Sequence, residues 1–291
     1  MPELPEVETI KNQLNKYIPK KIVKKIFQSG LKLHGKEVPD LTLLLNQEIL
    51  TINRRNKFIV IELEKGFLLL HMGMTGQLIY SDKLPENQKH IHLVISFEKD
   101  LMYFKDVRRF GIIDYFDKCE YSSYHDIPAI KKLGIEPLTS EFTQTYLNNL
   151  IKNNTQNAKS FVMDNSKICG IGNIYASEIL FLSKIHPQQK VSLLTQTQKN
   201  DLHKYIIEIL NKAIEMGGST ISDFIHIDGT QGGMQNYYFV YGKTNKHENC
   251  KICTTPIEKL AQNGRYSFFC KVCQPLIEEV KEEKSKKKNK K

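Results

Sequence analysis

Four cysteines near the C-terminus constrain this chain more than any other feature. They form two Cys-x2-Cys pairs separated by sixteen residues, and they are Cys250, Cys253, Cys270 and Cys273. Two such turns at this distance are typical of a structural zinc site built from four thiolates. Two disulfides are the alternative, but disulfides suit an oxidising compartment. The sequence therefore predicts one structural Zn²⁺ in a zinc finger over residues 236–275.

Charge and hydropathy argue against a membrane protein and favour a polyanionic partner. The most apolar run, Phe67 to Leu70, is too short to span a bilayer, and the acidic start has no signal-peptide pattern. We therefore expect a cytoplasmic protein. Lysine and arginine exceed aspartate and glutamate by 42 − 32 = 10, which is typical of nucleic-acid binding. Residues 276–291 contribute seven lysines and four glutamates, and we expect them to be a basic, disordered tail.

Hydrophobic periodicity divides the chain into a β-rich part followed by a helical part. Apolar residues at helical spacing predict a first helix over residues 2–18, and short β-rich runs from about 22 to 116 predict a sandwich or barrel. A proline-containing stretch from Gly134 to Ser140 suggests a hinge. Helical spacing then recurs over 141–152, 158–165, 172–183 and 195–216. The polar stretch 217–235 is too long for a tight turn and is a candidate functional loop.

Pro2 and Glu3 are the candidate catalytic residues at the chain start. Removal of Met1 would expose the secondary amine of Pro2, and an α-amino group with a pKa near ~8 is partly unprotonated at neutral pH. Such an amine can attack an aldehyde-level carbon to give an iminium, which suits cleavage of an N-glycosidic bond and subsequent elimination. Glu3 could transfer protons beside it. Considered alone, these two residues are better explained by a plain helix start.

Several further blocks, in a fixed order, resemble those of the bacterial formamidopyrimidine-DNA glycosylases. The resemblance extends from residue 2 to about 275. It rests on Met1–Thr9 (MPELPEVET), Arg54–Phe58 (RRNKF), His71–Gly76 (HMGMTG), Asp106–Gly111 (DVRRFG), Met163–Asn165 (MDN), Gly170–Glu178 (GIGNIYASE), and Gly264-Arg265 followed by Cys270–Gln274 (CKVCQ).

This resemblance implies a fold and a set of site residues. The implied fold is an α+β multidomain protein with an N-terminal β-sandwich and flanking helices, a C-terminal helix–two-turn–helix helical domain and a β-hairpin zinc finger. The implied catalytic residues are Pro2, Glu3, Lys57 and Arg265. The resemblance further implies that Met74, Arg108 and Phe110 fill the gap left by an extruded nucleotide, which offsets lost stacking. DNA-backbone contacts are implied for His90, Lys159 and Asn173.

The expected organisation follows from these assignments. We expect a catalytic sandwich domain over 1–133, a hinge over 134–145, a DNA-binding helical domain with a lesion-recognition loop over 146–235, and the zinc finger and tail described above. The expected partner is double-stranded DNA with oxidised bases or abasic sites, bound by a monomer near the nucleoid.

The implied activity is removal of oxidised purines, such as 8-oxoguanine and formamidopyrimidines, followed by β,δ-elimination through a Schiff base on Pro2. Two alternatives remain at this stage. One is an endonuclease VIII-like glycosylase for oxidised pyrimidines, although Leu4 and the Arg108–Phe110 block favour the purine enzymes. The other is a non-catalytic, zinc-dependent DNA-binding protein.

Overall fold

The computed structural model describes residues 1–220, 224–244 and 248–277. Most of the stretch expected to form a basic tail, 278–291, lies outside the described residues, as does part of the expected lesion-recognition loop. Among the described residues, no helix combines the length and hydrophobicity that crossing a membrane requires.

The N-terminal part is a β-sandwich of two four-stranded antiparallel sheets. One sheet has the order β1-β6-β7-β5 and the other β2-β3-β4-β8. The strands are β1 Lys25–Gln28, β2 Ile49–Arg55, β3 Phe58–Leu63, β4 Gly66–His71, β5 Gly76–Ser81, β6 Ile91–Ser96, β7 Leu101–Asp106 and β8 Ile112–Asp117. The expectation of a sandwich or barrel over this region is thus confirmed as a sandwich.

The second part is helical and ends in a β-hairpin. Its helices are α3 Gln144–Ile151, α4 Ala158–Val162, α5 Asn173–Leu182 and α6 Gln196–Glu215, and the hairpin strands are β9 Glu258–Gln262 and β10 Arg265–Phe269. A short helix, α2 Pro128–Lys131, precedes them. Two turns between α4 and α5 complete the helix–two-turn–helix motif. The fold class implied by the resemblance is confirmed, whereas the exact domain boundaries stay a prediction.

The first helix, α1, spans Leu4–Leu14 and is shorter than the expected 2–18. It starts later because Glu3 is the N-cap residue and forms a capping box with Glu6. It ends at Leu14, and the chain turns toward β1 beyond the C-cap residue Asn15. The first turn of α1 packs into a different core from the rest. Leu4 belongs to the helical core, while Val7 and Ile10 belong to the sandwich core. The helix therefore joins the two parts of the molecule.

Glu178 connects α5 to the segment before the zinc finger. Its carboxylate is fully buried and accepts backbone hydrogen bonds from Phe239 at 2.7 Å, Val240 at 3.0 Å and Tyr241 at 2.7 Å. Burial raises the pKa of this carboxyl, while the three N–H groups oppose the shift. The side chain thus satisfies three consecutive backbone donors of that segment.

We expect Glu178→Ala to lower the free energy of unfolding by about 3 kcal/mol, because buried donors left without acceptors are costly. Urea denaturation followed by circular dichroism would measure the change. The matched control is Glu208→Ala on α6, where an exposed pair with Lys204 should contribute less than about 0.5 kcal/mol. Equal effects of the two substitutions would contradict this account of Glu178.

Candidate active site

The chain start is fixed against the beginning of α5. The Leu4 N–H donates to the Gly170 carbonyl at 3.0 Å. The Glu3 carboxylate accepts hydrogen bonds from the N–H groups of Gly172 at 2.8 Å, Ile174 at 2.9 Å and Tyr175 at 3.3 Å. These donors are unpaired groups of a helix N-terminus, where a negative charge is stabilised. Glu3 is therefore held by the helical domain, beside Pro2.

Gly172 is required for this approach. A Cβ atom added at this position would lie 2.3 Å from Cδ and 2.4 Å from Oε1 of Glu3. Gly172 is the N-cap of α5, so Asn173 is the first helical residue rather than the cap. The Oδ1 atom of Asn173 is buried and has no partner among the described residues. The side chain lies beside the Tyr241 hydroxyl.

Three cations line a cavity of about 320 Å³ together with Met1: they are Lys57, Lys159 and Arg265. Lys57 is buried, and its ammonium group donates to the Ile171 carbonyl at 3.4 Å. Lys159 donates to the Tyr266 carbonyl at 2.9 Å. From the sequence, these three residues were grouped only because they match motifs of one family. The structure places all three around one cavity next to Met1.

Burial changes the acidity of both lysines. Desolvation lowers the pKa of Lys57, although the Glu3 carboxylate opposes this shift. Desolvation and the Arg265 guanidinium lower the pKa of Lys159 to about 8. Cations that repel one another and have lost hydration favour an anionic ligand. The negative charge of such a ligand offsets both the repulsion and the lost hydration.

The three expected wedge residues lie together on two loops at one end of the sandwich. Met74 is 44% exposed and Phe110 is 40% exposed, which is unusual for large apolar side chains and argues against core packing. The Arg108 guanidinium stacks 4.6 Å from the centre of the Phe110 ring. All three side chains are therefore available to a ligand in front of the sandwich.

The buried carboxylate of Asp106 connects these two loops. It accepts hydrogen bonds from the Thr75 hydroxyl at 2.5 Å, from the Arg108 N–H at 3.2 Å and from the Gly111 N–H at 2.7 Å. Gly73 has a φ of 59°, and a Cβ there would lie 2.4 Å from the Phe110 carbonyl carbon. The wedge thus rests on a rigid and closely packed base.

Two histidines lie at the same end of the sheets. His90 directly precedes β6, is partly exposed, and accepts the Asp106 N–H at its carbonyl at 2.9 Å. His71 ends β4, and its Nδ1 atom accepts the Gly73 N–H at 3.0 Å. Burial, with the nearby Lys57 ammonium, lowers the pKa of His71 to about 4. A neutral ring with its proton on Nε2 can still donate a hydrogen bond. Sequence reasoning quoted His71 within a motif but gave it no role.

Glu6 is a second residue that sequence reasoning missed. It is fully buried and accepts hydrogen bonds from the Glu3 N–H at 2.8 Å, from the Ser219 N–H at 2.8 Å and from the Tyr175 hydroxyl. Burial and the Glu3 carboxylate raise the pKa of Glu6 to about 7. The capping-box spacing to Glu3 was the only available signal, and it gave no indication of the contacts with Tyr175 and Ser219.

The four cysteines form one cluster between the hairpin and the preceding turn. Their sulfur atoms all lie within 4.8 Å of one another, with 3.7 Å between Cys250 and Cys273 and 3.4 Å between Cys253 and Cys270. Tetrahedral coordination with Zn–S bonds of about 2.3 Å separates the sulfurs by roughly 3.8 Å. The donor set and the spacing fit one structural zinc ion, with no coordination position left for substrate. The prediction from the sequence is confirmed.

Comparison with family models gives three matches along the chain. The formamidopyrimidine-DNA glycosylase N-terminal domain matches residues 1–113, the formamidopyrimidine-DNA glycosylase H2TH domain matches 133–225, and a zinc finger found in FPG and IleRS matches 248–276.

Comparison with individual proteins gives matches over nearly the whole chain. A formamidopyrimidine-DNA glycosylase of Legionella pneumophila is 39% identical over 95% of this chain and all of the relative, and one of Pasteurella multocida is 38% identical over 94% and 99%. The Lactococcus lactis Fpg bound to DNA with an abasic site is 34% identical over 94% of this chain and 99% of that chain, with a TM-score of 0.82. A variant of it bound to Fapy-dG DNA has 33% identity, covers 94% and 100%, and has a TM-score of 0.84.

We expect purified protein to contain one zinc ion per chain, and Cys270→Ser to lose the metal and lower the melting temperature, because a structural zinc ion contributes folding free energy directly. Elemental analysis and a thermal melt would measure both. Cys119→Ser is the matched control, because Cys119 is exposed and outside the cluster. Retention of stoichiometric zinc by Cys270→Ser would contradict the assignment.

Proposed function

The chain belongs to the formamidopyrimidine-DNA glycosylase family and is an enzyme of base-excision repair, and from this premise we propose that it removes oxidised purines from duplex DNA through the amine of Pro2. The observation that carries the proposal is the position of the Glu3 carboxylate, which three N–H groups of α5 hold beside Pro2. The lysine- and arginine-lined cavity is next to the same residues.

The reaction proceeds in two stages. After loss of Met1, the Pro2 nitrogen attacks C1′ of an extruded nucleotide, and the damaged base leaves with the proton of the amine. The C1′–O4′ bond then breaks, O4′ takes up a proton, and the opened sugar carries an iminium between C1′ and the Pro2 nitrogen. The iminium acidifies the C2′ proton, and its removal expels the 3′ phosphate in β-elimination. A second elimination expels the 5′ phosphate. Glu3 transfers protons beside the reacting carbon, and Arg265 assists the second elimination from the hairpin.

Binding follows from the positions of the other candidate residues. Lys57, Lys159 and Asn173 hold phosphates that flank the lesion, and His90 and His71 add donors from the sandwich. Met74, Arg108 and Phe110 enter the space of the extruded nucleotide. The two large apolar side chains are already exposed without a ligand, so the wedge needs little rearrangement. We further propose that the enzyme works as a monomer at the chromosome, in the cytoplasm.

Oxidised pyrimidines are a second substrate class. The Lactococcus lactis Fpg, with 33% identity to this chain, has been crystallised with DNA that contains an oxidised pyrimidine. We propose that such lesions are processed by the same machinery and more slowly than oxidised purines. A non-catalytic DNA-binding protein would need neither Pro2, Glu3 nor Lys57, yet the lysine and the chain start meet at one cavity here.

We expect borohydride to trap the protein covalently on duplexes that contain 8-oxoguanine, because reduction fixes an iminium to Pro2. Pro2→Gly with Glu3→Gln should abolish trapping, whereas Asn12→Ala, an exposed change on α1, should leave it intact. Denaturing electrophoresis would score the adduct, and a thermal melt would confirm folding. Trapping by the folded double variant would exclude Pro2 as the nucleophile, and no trapping by the Met1-free protein would exclude the iminium mechanism.

We expect the affinity for a duplex with a tetrahydrofuran abasic analogue to fall as pH rises from 7 to 9. The Lys159 ammonium is charged below its pKa of about 8 and loses its phosphate contact as it deprotonates. Loss of a charged hydrogen bond should cost roughly tenfold in affinity. Lys159→Gln should remove this part of the pH dependence, while Lys204→Gln on the exposed face of α6 should retain it. Fluorescence anisotropy at fixed ionic strength would measure both, and parallel profiles for the two variants would refute the role of Lys159.

A further inference from the structure

A second basic surface lies at the opposite end of the sandwich from the wedge. It is a groove of about 840 Å³, here called the rear groove, and five lysines line it: Lys20, Lys21, Lys24, Lys25 and Lys99. The other charged residues along it are Glu98 and Asp100, so the lining carries a net charge of 5 − 2 = +3. None of the functions proposed above involves this surface.

The wedge and the cavity lined by Lys57, Lys159 and Arg265 are here called the front site. The directions of the strands show that the rear groove is separate from it. Strand β7 runs from Leu101, beside the rear groove, to Asp106, which anchors the wedge. Its six residues cover about 17 Å at roughly 3.4 Å per residue. Strand β6 runs in the opposite direction, from Ile91 next to His90 to Ser96 in the groove. The two surfaces therefore face away from each other across the length of one sheet.

Most of the lysines in the rear groove form no ion pair with another residue in the described part of the chain. Among the described residues, Lys21 alone of the five forms an ion pair, at 2.5 Å with Asp100. Lys20, Lys24, Lys25 and Lys99 are exposed. Four like charges in one concave surface repel one another, and a polyanion would relieve this repulsion.

Aromatic side chains adjoin the lysines. The Lys21 ammonium lies 5.6 Å from the ring centres of both Tyr80 and Phe97. Tyr17 stacks on Tyr80 with 5.2 Å between ring centres and is 51% exposed. Phe97 is buried and Tyr80 is only partly exposed, so these two rings form part of the groove wall and leave the exposed lysines as the groups that face a ligand. The contacts also hold Lys21 in place at the groove wall.

We propose that the rear groove binds the phosphate backbone of a second segment of duplex DNA while the front site holds the first. This inference rests on the proposed DNA interface at the front. Duplex DNA is favoured over an acidic protein because it carries one charge per about 1.7 Å of helix axis and because the front site already keeps the protein among DNA segments. The groove then lets the enzyme pass directly from one segment to another without free diffusion.

Direct transfer has a kinetic signature. Full-length protein would be loaded on a fluorescent duplex bearing a tetrahydrofuran abasic analogue and chased with unlabelled, undamaged duplex at increasing concentrations. We expect the dissociation rate to rise with chase concentration, because the chase duplex binds the rear groove before the labelled duplex leaves. With Lys24→Glu and Lys25→Glu together, the slope should fall at least about fivefold, as expected for the loss of two phosphate contacts.

The control is Lys131→Glu with Lys132→Glu, an adjacent exposed pair with the same change in net charge. This control should keep the wild-type slope, and both double variants should keep the affinity for the labelled duplex within about twofold at matched salt. A dissociation rate independent of chase concentration in the wild-type protein, or equal slopes in the two double variants, would overturn the proposal. Acceleration by single-stranded DNA or polyglutamate but not by duplex would also overturn it. Failure of the wild-type protein to bind the labelled duplex would instead refute the proposed front interface.

Discussion

The hydrogen bonds between the Glu3 carboxylate and the N-terminus of α5 are the interaction on which the rest of the site depends. They fix residues 2 and 3 against a helix that begins 170 residues later in the chain. The following residue, Leu4, enters the helical core, and the next turns of α1 enter the sandwich core. The candidate nucleophile directly precedes the N-cap of a helix that joins the two parts of the molecule, so both parts set the position of the amine.

The site combines buried cations with a helix N-terminus, and the two features have the same electrostatic consequence. Lys57 and Lys159 have lost water and face Arg265, which lowers the pKa of each. The N–H groups at the start of α5 add partial positive charge, of which Glu3 neutralises part. A phosphate entering the cavity would replace the missing solvation of both lysines. The charge of the cavity is thus complementary to an anion such as a phosphate rather than to an uncharged group.

The sequence predicted local structure well and long-range contacts poorly. Strand β3, Phe58–Leu63, lies within the region of short β-rich runs that the sequence indicated. The helix ends differ from expectation by zero to four residues, because capping rather than periodicity decides where a helix ends. The burial of Lys57 and the contacts of Glu6 with Tyr175 and Ser219 were not predictable. Their partners come from more than a hundred residues away, and periodicity within one element carries no information about such contacts. The family resemblance identified the cavity residues, but only the geometry shows that they adjoin the chain start.

The antiparallel sheet explains why the wedge residues and the lysines of the rear groove occur at opposite ends of the sandwich. Turns that leave the front edge carry Met74, His90 and Arg108, because each follows or precedes a strand end paired near Asp106. At the rear edge, Lys99 lies in the turn between β6 and β7, and Lys24 directly precedes β1, which pairs with β6. Since β7 is hydrogen-bonded along its length to both β5 and β6, the sheet fixes this separation. Lysines at the rear are separated from the wedge by the length of β7, so they cannot contact a ligand bound at the wedge. Their concentration in one groove is therefore better explained by a separate anionic ligand.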